Sequence, residues 1–119
     1  MTKTKWKNRI KKACEQAGTY RTTWDDVIDT LADILSRRDY AQSMLDGQPL
    51  VIQHTNKAGA KNFVKNPFYM IWQEQNQMAL TYWRELGLTP SGLKKLNEEA
   101  LQAQKSQQGL EAILASLDE

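Results

Sequence analysis

Residues 66–91 read NPFYMIWQEQNQMALTYWRELGLTPS, and the punctuation in this stretch decides the fold. Asn66 offers a side-chain oxygen to the first free amides of a helix. Pro67, at the first helical position, gives up only an N–H that has no partner there. The pattern runs to Leu86, Gly87 stops it, and Thr89-Pro90 restarts a helix by the same logic. Phe68, Ile71, Trp72, Met78, Ala79, Tyr82, Trp83 and Leu86 spread over more than half the circumference of this 66–86 helix. Its polar positions include a run of amides, Gln73, Gln75, Asn76 and Gln77, and few charges. A helix of that kind packs on two sides, and a domain of 119 residues rarely offers two. Phe68, Ile71, Trp72, Met78, Tyr82 and Trp83 are therefore expected to meet another copy of the chain.

Upstream, residues 48–65 lose the helical period. Leu50-Val51-Ile52 is an apolar, β-branched cluster, Asn56-Lys57-Ala58-Gly59 signals a turn, and Phe63-Val64 reads as the returning strand. A short β-hairpin follows, marginal unless it packs on helices or on a neighbouring subunit. Residues 22–47 form a long amphipathic helix. Val27, Leu31, Ile34, Ala41 and Leu45 mark its stripe, with Thr22 and Thr23 as the expected cap and Gly47 as the stop. Residues 1–21 make a shorter basic helix or arm whose apolar face is Trp6, Ile10, Ala13, Cys14 and Ala17, closed by Gly18. Downstream, 87–119 is a helical region. Leu93, Leu96, Ala100 and Ala103 form one stripe, a break is expected near Gly109, and Leu110, Ile113, Leu114 and Leu117 form a last amphipathic piece. The fold class is thus all-α with a short β-hairpin insertion, in a single domain of residues 1–119.

Catalytic constellations are missing from this pattern. The only histidine, His54, lies in the strand before the turn, and the only cysteine, Cys14, lies on the apolar face of a helix. Neither has a partner at metal-ligand or nucleophile–base spacing, so the expected readings are surface and packing residues. Asp25, Asp29 and Asp33 form an i, i+4, i+8 row, best read as a solvated, helix-capping face. Gly87-Leu88-Thr89-Pro90-Ser91-Gly92 lacks the lysine and the spacing of a phosphate loop. No enzyme activity, metal or cofactor is expected. No apolar run approaches the ~20 residues that span a bilayer, no apolar stretch follows the basic start as in a secretory signal, and a lone cysteine suits a reducing interior.

Charge carries the stronger signal. The net charge is only +2, yet residues 1–21 hold Lys3, Lys5, Lys7, Arg9, Lys11, Lys12 and Arg21 against Glu15 alone. The hairpin carries Lys57, Lys61 and Lys65 with no acid, whereas residues 25–46 hold six aspartates against two arginines. Two basic patches on a nearly neutral chain point to nucleic acid. Lys3, Lys5, Lys7, Arg9, Lys11, Lys12, Lys57, Lys61 and Lys65 are the expected contacts, to the backbone more than to bases, because no helix presents a base-reading set of side chains.

The order of elements resembles the small terminase subunits of tailed phages, of the group whose packaging genes neighbour an HNH endonuclease. The resemblance covers roughly residues 20–97 and rests on Leu45-Asp46-Gly47, the Gly/Lys-rich strand pair, the Asn66-Pro67 start, and Trp83-Arg84-Glu85-Leu86-Gly87-Leu88-Thr89-Pro90-Ser91. It implies a non-catalytic, ring-forming packaging adaptor in the host cytoplasm. Its implied partners are viral double-stranded DNA, further copies of itself and the large terminase subunit. The acidic C-terminal piece around Leu110, Ile113, Leu114 and Leu117 is the expected docking site for that subunit. The competing readings are a helix-turn-helix regulator built on residues 67–86 and 90–104, and a helical adaptor that never touches nucleic acid.

Overall fold

A computed structural model describes residues 1–117. The first helix, α1 (Lys3–Ala17), starts at Thr2, whose hydroxyl accepts a hydrogen bond from the Lys5 amide, and ends at Gly18 with φ 73°. A left-handed glycine there lets two backbone amides fold back on the last carbonyls, as the sequence predicts. The second helix, α2 (Asp25–Leu45), carries Asp25 and Asp26 in its first turn. The expected threonine cap is corrected, because Thr22–Trp24 form a single 3-10 turn instead. Backbone carbonyls serve the amides at this start in place of a hydroxyl, with Trp24 N bonded to Arg21 O and Asp25 N to Thr22 O.

Burial follows the helical period. Trp6, Ile10 and Cys14 point from α1 into the same core as Ile28, Leu31, Ala32, Ile34 and Leu35 from α2. The third helix, α3 (Pro67–Glu85), adds Ala79, with Leu86 just beyond its end and Tyr82 and Trp83 packed against the cluster. Trp6 and Trp83 meet edge to face with ring centroids 6.5 Å apart. The third helix runs antiparallel to α2, with Asn76 beside Arg38 and Leu86 beside Val27. Trp6 lies by Asp39 and Tyr20 by Asp25. The buried Thr19 hydroxyl donates to Leu86 O at 2.9 Å, tying the α1–α2 link to the end of α3.

Between α2 and α3 stands the hairpin, β1 (Val51–Thr55) and β2 (Lys61–Lys65), antiparallel with Gln53 opposite Phe63. Asn56 Oδ1 accepts from the Ala58 and Ala60 amides, and Gly59 at φ 83° closes the turn. Of the ten strand residues only Ile52 is partly buried, so the ribbon projects from the helices. Its base is held by Asn66, which is 2% exposed. The Asn66 amide donates to Leu50 O, its Nδ2 donates to Gln48 Oε1 and Pro49 O, and its Oδ1 accepts from Phe68 N. One side chain thus caps α3 and clamps the hairpin.

The fourth helix, α4 (Pro90–Leu117), follows a tight link through Gly87, φ 72°. Gly92 is buried against the end of α3, where a Cβ would collide with the Arg84 carbonyl. The expected break at Gly109 is corrected, since α4 runs through it without interruption. A mid-helix glycine costs only about 1 kcal/mol against alanine, and the glutamine, alanine and leucine around it are good helix formers. Beyond its first turns α4 leaves the body, and every residue from Asn97 to Leu117 is exposed. The molecule measures 88 × 29 × 21 Å with a radius of gyration of 22.5 Å. A compact domain of this length has about 13–14 Å. The hairpin and the free part of α4 lie at opposite ends.

Candidate nucleic-acid interface

Trp6, Ile10 and Cys14 turn inward, so the helical period of α1 turns Lys5, Arg9 and Lys12 out. The six cations of this helix do not behave alike. Lys3 and Lys7 both reach Asp29 of α2, with Nζ–Oδ distances of 3.1 and 3.4 Å. The Lys3 hydrogen bond is the main cause that holds the Asp29 carboxyl below its ordinary pKa. Arg9 lies over the Trp6 ring at 5.3 Å and Lys11 over the Tyr20 ring at 5.1 Å. Lys5 and Lys12 have no ion-pair partner among the described residues. Four of the six expected contacts therefore face solvent without a carboxylate on them, and two are partly neutralised by α2.

Trp6 lies on the buried face of α1, as its spacing with Ile10 and Cys14 predicts, and not among the solvent-facing cations. It is 8% exposed, and its indole N–H donates to Asp39 Oδ2 at 2.6 Å. Asp39 also accepts from the Met1 amine at 2.8 Å. Burial pushes the Asp39 carboxyl up, but the bonds from the amine and from Trp6 outweigh it and leave its pKa lowered. The Arg38 guanidinium lies 5.6 Å from the Trp6 ring centre and donates to Asn76 Oδ1. Arg38 leaves a gap between Ile34 and Ala41 in the apolar stripe of α2. Here it fills that gap as a flat cation beside an aromatic face.

The hairpin gives the cleaner arrangement. Strand alternation puts Lys61, Phe63 and Lys65 on one face, with Thr55, Gln53 and Val51 opposite them in register. Phe63 is 77% exposed between the two lysines, and Lys57 sits on the turn. The sequence reading named the three lysines and missed Phe63 as a surface group. The period of two along 61, 63 and 65 was the signal that could have found it. No acid lies anywhere on the ribbon.

A family model described as phage terminase, small subunit, matches residues 2–103. The chain belongs to that family. Its role accordingly lies in packaging phage DNA. No curated protein and no solved structure matches it. The match takes in this terminase small subunit's three-helix body, its hairpin and the first half of α4. It leaves Leu110, Ile113, Leu114 and Leu117 outside.

The residues expected between copies of the terminase subunit divide between two faces. Tyr82 and Trp83 pack on the chain's own core, and Phe68 and Trp72 are half-buried on the same side. Ile71 and Met78 face outward together with Met70 and Leu80, which the sequence reading did not single out. The helix is two-sided as read, but its tryptophans serve the inner side. Elsewhere, the aspartate row is taken up piecewise. Tyr20 donates to Asp25, the two lysines hold Asp29, and Arg37 pairs with Asp33 at 2.7 Å. Among the described residues no group of three or more His, Cys, Asp or Glu could hold a metal. Cys14 is fully buried, and burial pushes its thiol pKa up, which suits packing rather than attack. No helix among the described residues is long and apolar enough to cross a membrane.

Proposed function

We propose that this terminase small subunit is a non-catalytic adaptor that self-assembles, holds viral double-stranded DNA by its backbone and presents it to the large subunit in the host cytoplasm. The observation that carries the reading is the projecting hairpin, which has Lys57, Lys61 and Lys65, an exposed Phe63 and no acid. A ribbon of this kind fits against a DNA groove, with cations toward phosphates and the aromatic toward sugar and base edges. Lys5, Arg9, Lys11 and Lys12 on the outer side of α1 supply the second basic surface. Self-assembly uses the outward arc of α3, where Met70, Ile71, Met78 and Leu80 are exposed.

Fluorescence anisotropy with labelled duplex DNA across a salt series tests it. Each phosphate contact adds about 0.9 to the fall of log K with log salt. A slope of at least 2.7 per subunit, nearly independent of sequence, is the expected result. A flat or undetectable response at low salt would leave the adaptor without its DNA and favour the helical adaptor that never touches nucleic acid.

A further inference from the structure

The free part of α4 poses a physical problem. A 28-residue helix spans about 42 Å, and only its first turns touch the body. Isolated helices are marginal in water, and this one also exposes a row of large apolar side chains. Leu110 is 57% exposed, Leu114 53% and Leu117 75%, with Ile113 beside them at 60%. Steps of three and four residues link Ala100, Ala103, Gln107, Leu110, Leu114 and Leu117. The half-buried Leu93 and Leu96 begin the same register. The stripe therefore repeats every seven residues from 93 to 117, straight through the glycine expected to interrupt it. A seven-residue repeat held over more than three heptads is the mark of a helix that winds around another of the same period.

We propose that α4 is one strand of a parallel, in-register coiled coil between copies of this chain. The proposal deepens the reading of the protein as a self-assembling subunit and rests on it for the presence of copies. Gln107 decides the direction. In an antiparallel pair each residue at its position meets one from the other half of the repeat, and there Leu96, Ala103, Leu110 and Leu117 are all apolar. The amide would then be buried without a partner. In a parallel pair in register Gln107 meets Gln107 of the other copy, and two amides satisfy each other. The small layers agree, because Ala100 and Ala103 then face their own counterparts and not a leucine. The flanking charges agree too. Across the seam Glu99 lies beside Gln104, and Ser106 beside Glu111, so no two acids oppose each other. Lys94, Lys95, Glu98 and Lys105 all fall on the outer side. The sequence alone assigned Leu110, Ile113, Leu114 and Leu117 to the large subunit. The unbroken register favours a second copy.

Disulfide trapping on the full chain tests the proposal, since Cys14 is buried and does not interfere. Ala103→Cys and Leu117→Cys, made separately, should each give a disulfide-linked dimer under mild oxidation, and Gln102→Cys on the outer side should not. In an antiparallel pair no more than one of the two seam positions faces itself. Crosslinking at only one of them, or equally at Gln102→Cys, would overturn the proposal. Leu110→Glu with Leu114→Glu in the Ala103→Cys chain should lower the crosslinked fraction at least tenfold, while near-ultraviolet dichroism of the tryptophans confirms an intact body. An unchanged fraction also overturns it. Light scattering separates the two levels of failure. An oligomer that never crosslinks leaves self-assembly standing and removes this seam, whereas a monomer at micromolar concentration removes both. Loss of large-subunit capture by the double glutamate chain, without any self-crosslinking, would assign the face to the large subunit instead.

Discussion

The two ends of this molecule are built on opposite chemistries. At one end a two-stranded ribbon carries three lysines, no acid and an exposed phenylalanine. At the other a single helix shows leucines and alanines along a seam whose flanks are almost uncharged. Both stand clear of the body and neither is stabilised by it beyond its root. A hairpin alone and a helix alone are each marginal in water, so both gain order from whatever they meet. The difference lies in what that is, with a polyanion suited to the first and an apolar helix to the second. The three-helix body, with its Trp6–Trp83 contact, holds the two surfaces apart.

The strongest challenge to this contrast is to loosen the body between the ends. Trp83→Ala removes half of an aromatic pair packed on the core and should cost about 3 kcal/mol in denaturant unfolding. Because Trp83 packs within its own chain, the loss should be the same at low and high protein concentration. A loss that disappears on dilution would return Trp83 to the subunit interface. Next in size is the charge contrast. Changing Lys57, Lys61 and Lys65 to Gln should lower the salt slope of DNA binding by about 2.7, which over a fourfold rise in salt is roughly a 40-fold change. The same change at Lys94, Lys95 and Lys105 of α4 should leave the slope where it was. Equal effects from the two triplets would erase the distinction between the ends.

A smaller effect isolates the hairpin's root. Asn66→Ala removes a helix cap and the side-chain hydrogen bonds that clamp the strands, and should cost about 1–2 kcal/mol in thermal unfolding. Protection from hydrogen exchange should fall first in residues 51–65 and stay unchanged in α4. The smallest effect is expected in acid. Asp29 and Asp39 are held below their ordinary pKa values. The stability they add is therefore present above about pH 4 and is lost as pH falls through their folded values. Tryptophan fluorescence followed from pH 5 to pH 2 should report the loosening of α1, and Asp39→Asn should remove part of that pH dependence.

Local signals carried most of the fold. The Asn66-Pro67 start, the Gly18 stop and the Asn56–Gly59 turn each depend on a few neighbouring residues, and all three appear where the sequence put them. What escaped depends on distance or on a choice between faces. Lys3 and Lys7 looked like free cations because their partner, Asp29, lies more than twenty residues away along the chain. The period put Trp6 on the apolar face of α1, but the partners it meets there, Asp39, Arg38 and Trp83, all lie far along the chain. The period of α3 showed two apolar sides without saying which was inner. Gly109 and the glutamines around it masked a repeat that becomes visible once α4 is seen to be continuous.

The placement of hairpin and α4 at opposite ends has a consequence for symmetry. Copies joined in parallel along α4 share one rotation axis, so their hairpins all emerge at the other end of the assembly and at one height. Each ribbon that touches a duplex then holds the next within reach of it. Binding of the second becomes a matter of effective concentration and not of intrinsic strength. A weak contact repeated around an axis grips firmly as a set, while any single member lets go quickly. That suits DNA that must be held and still be free to move.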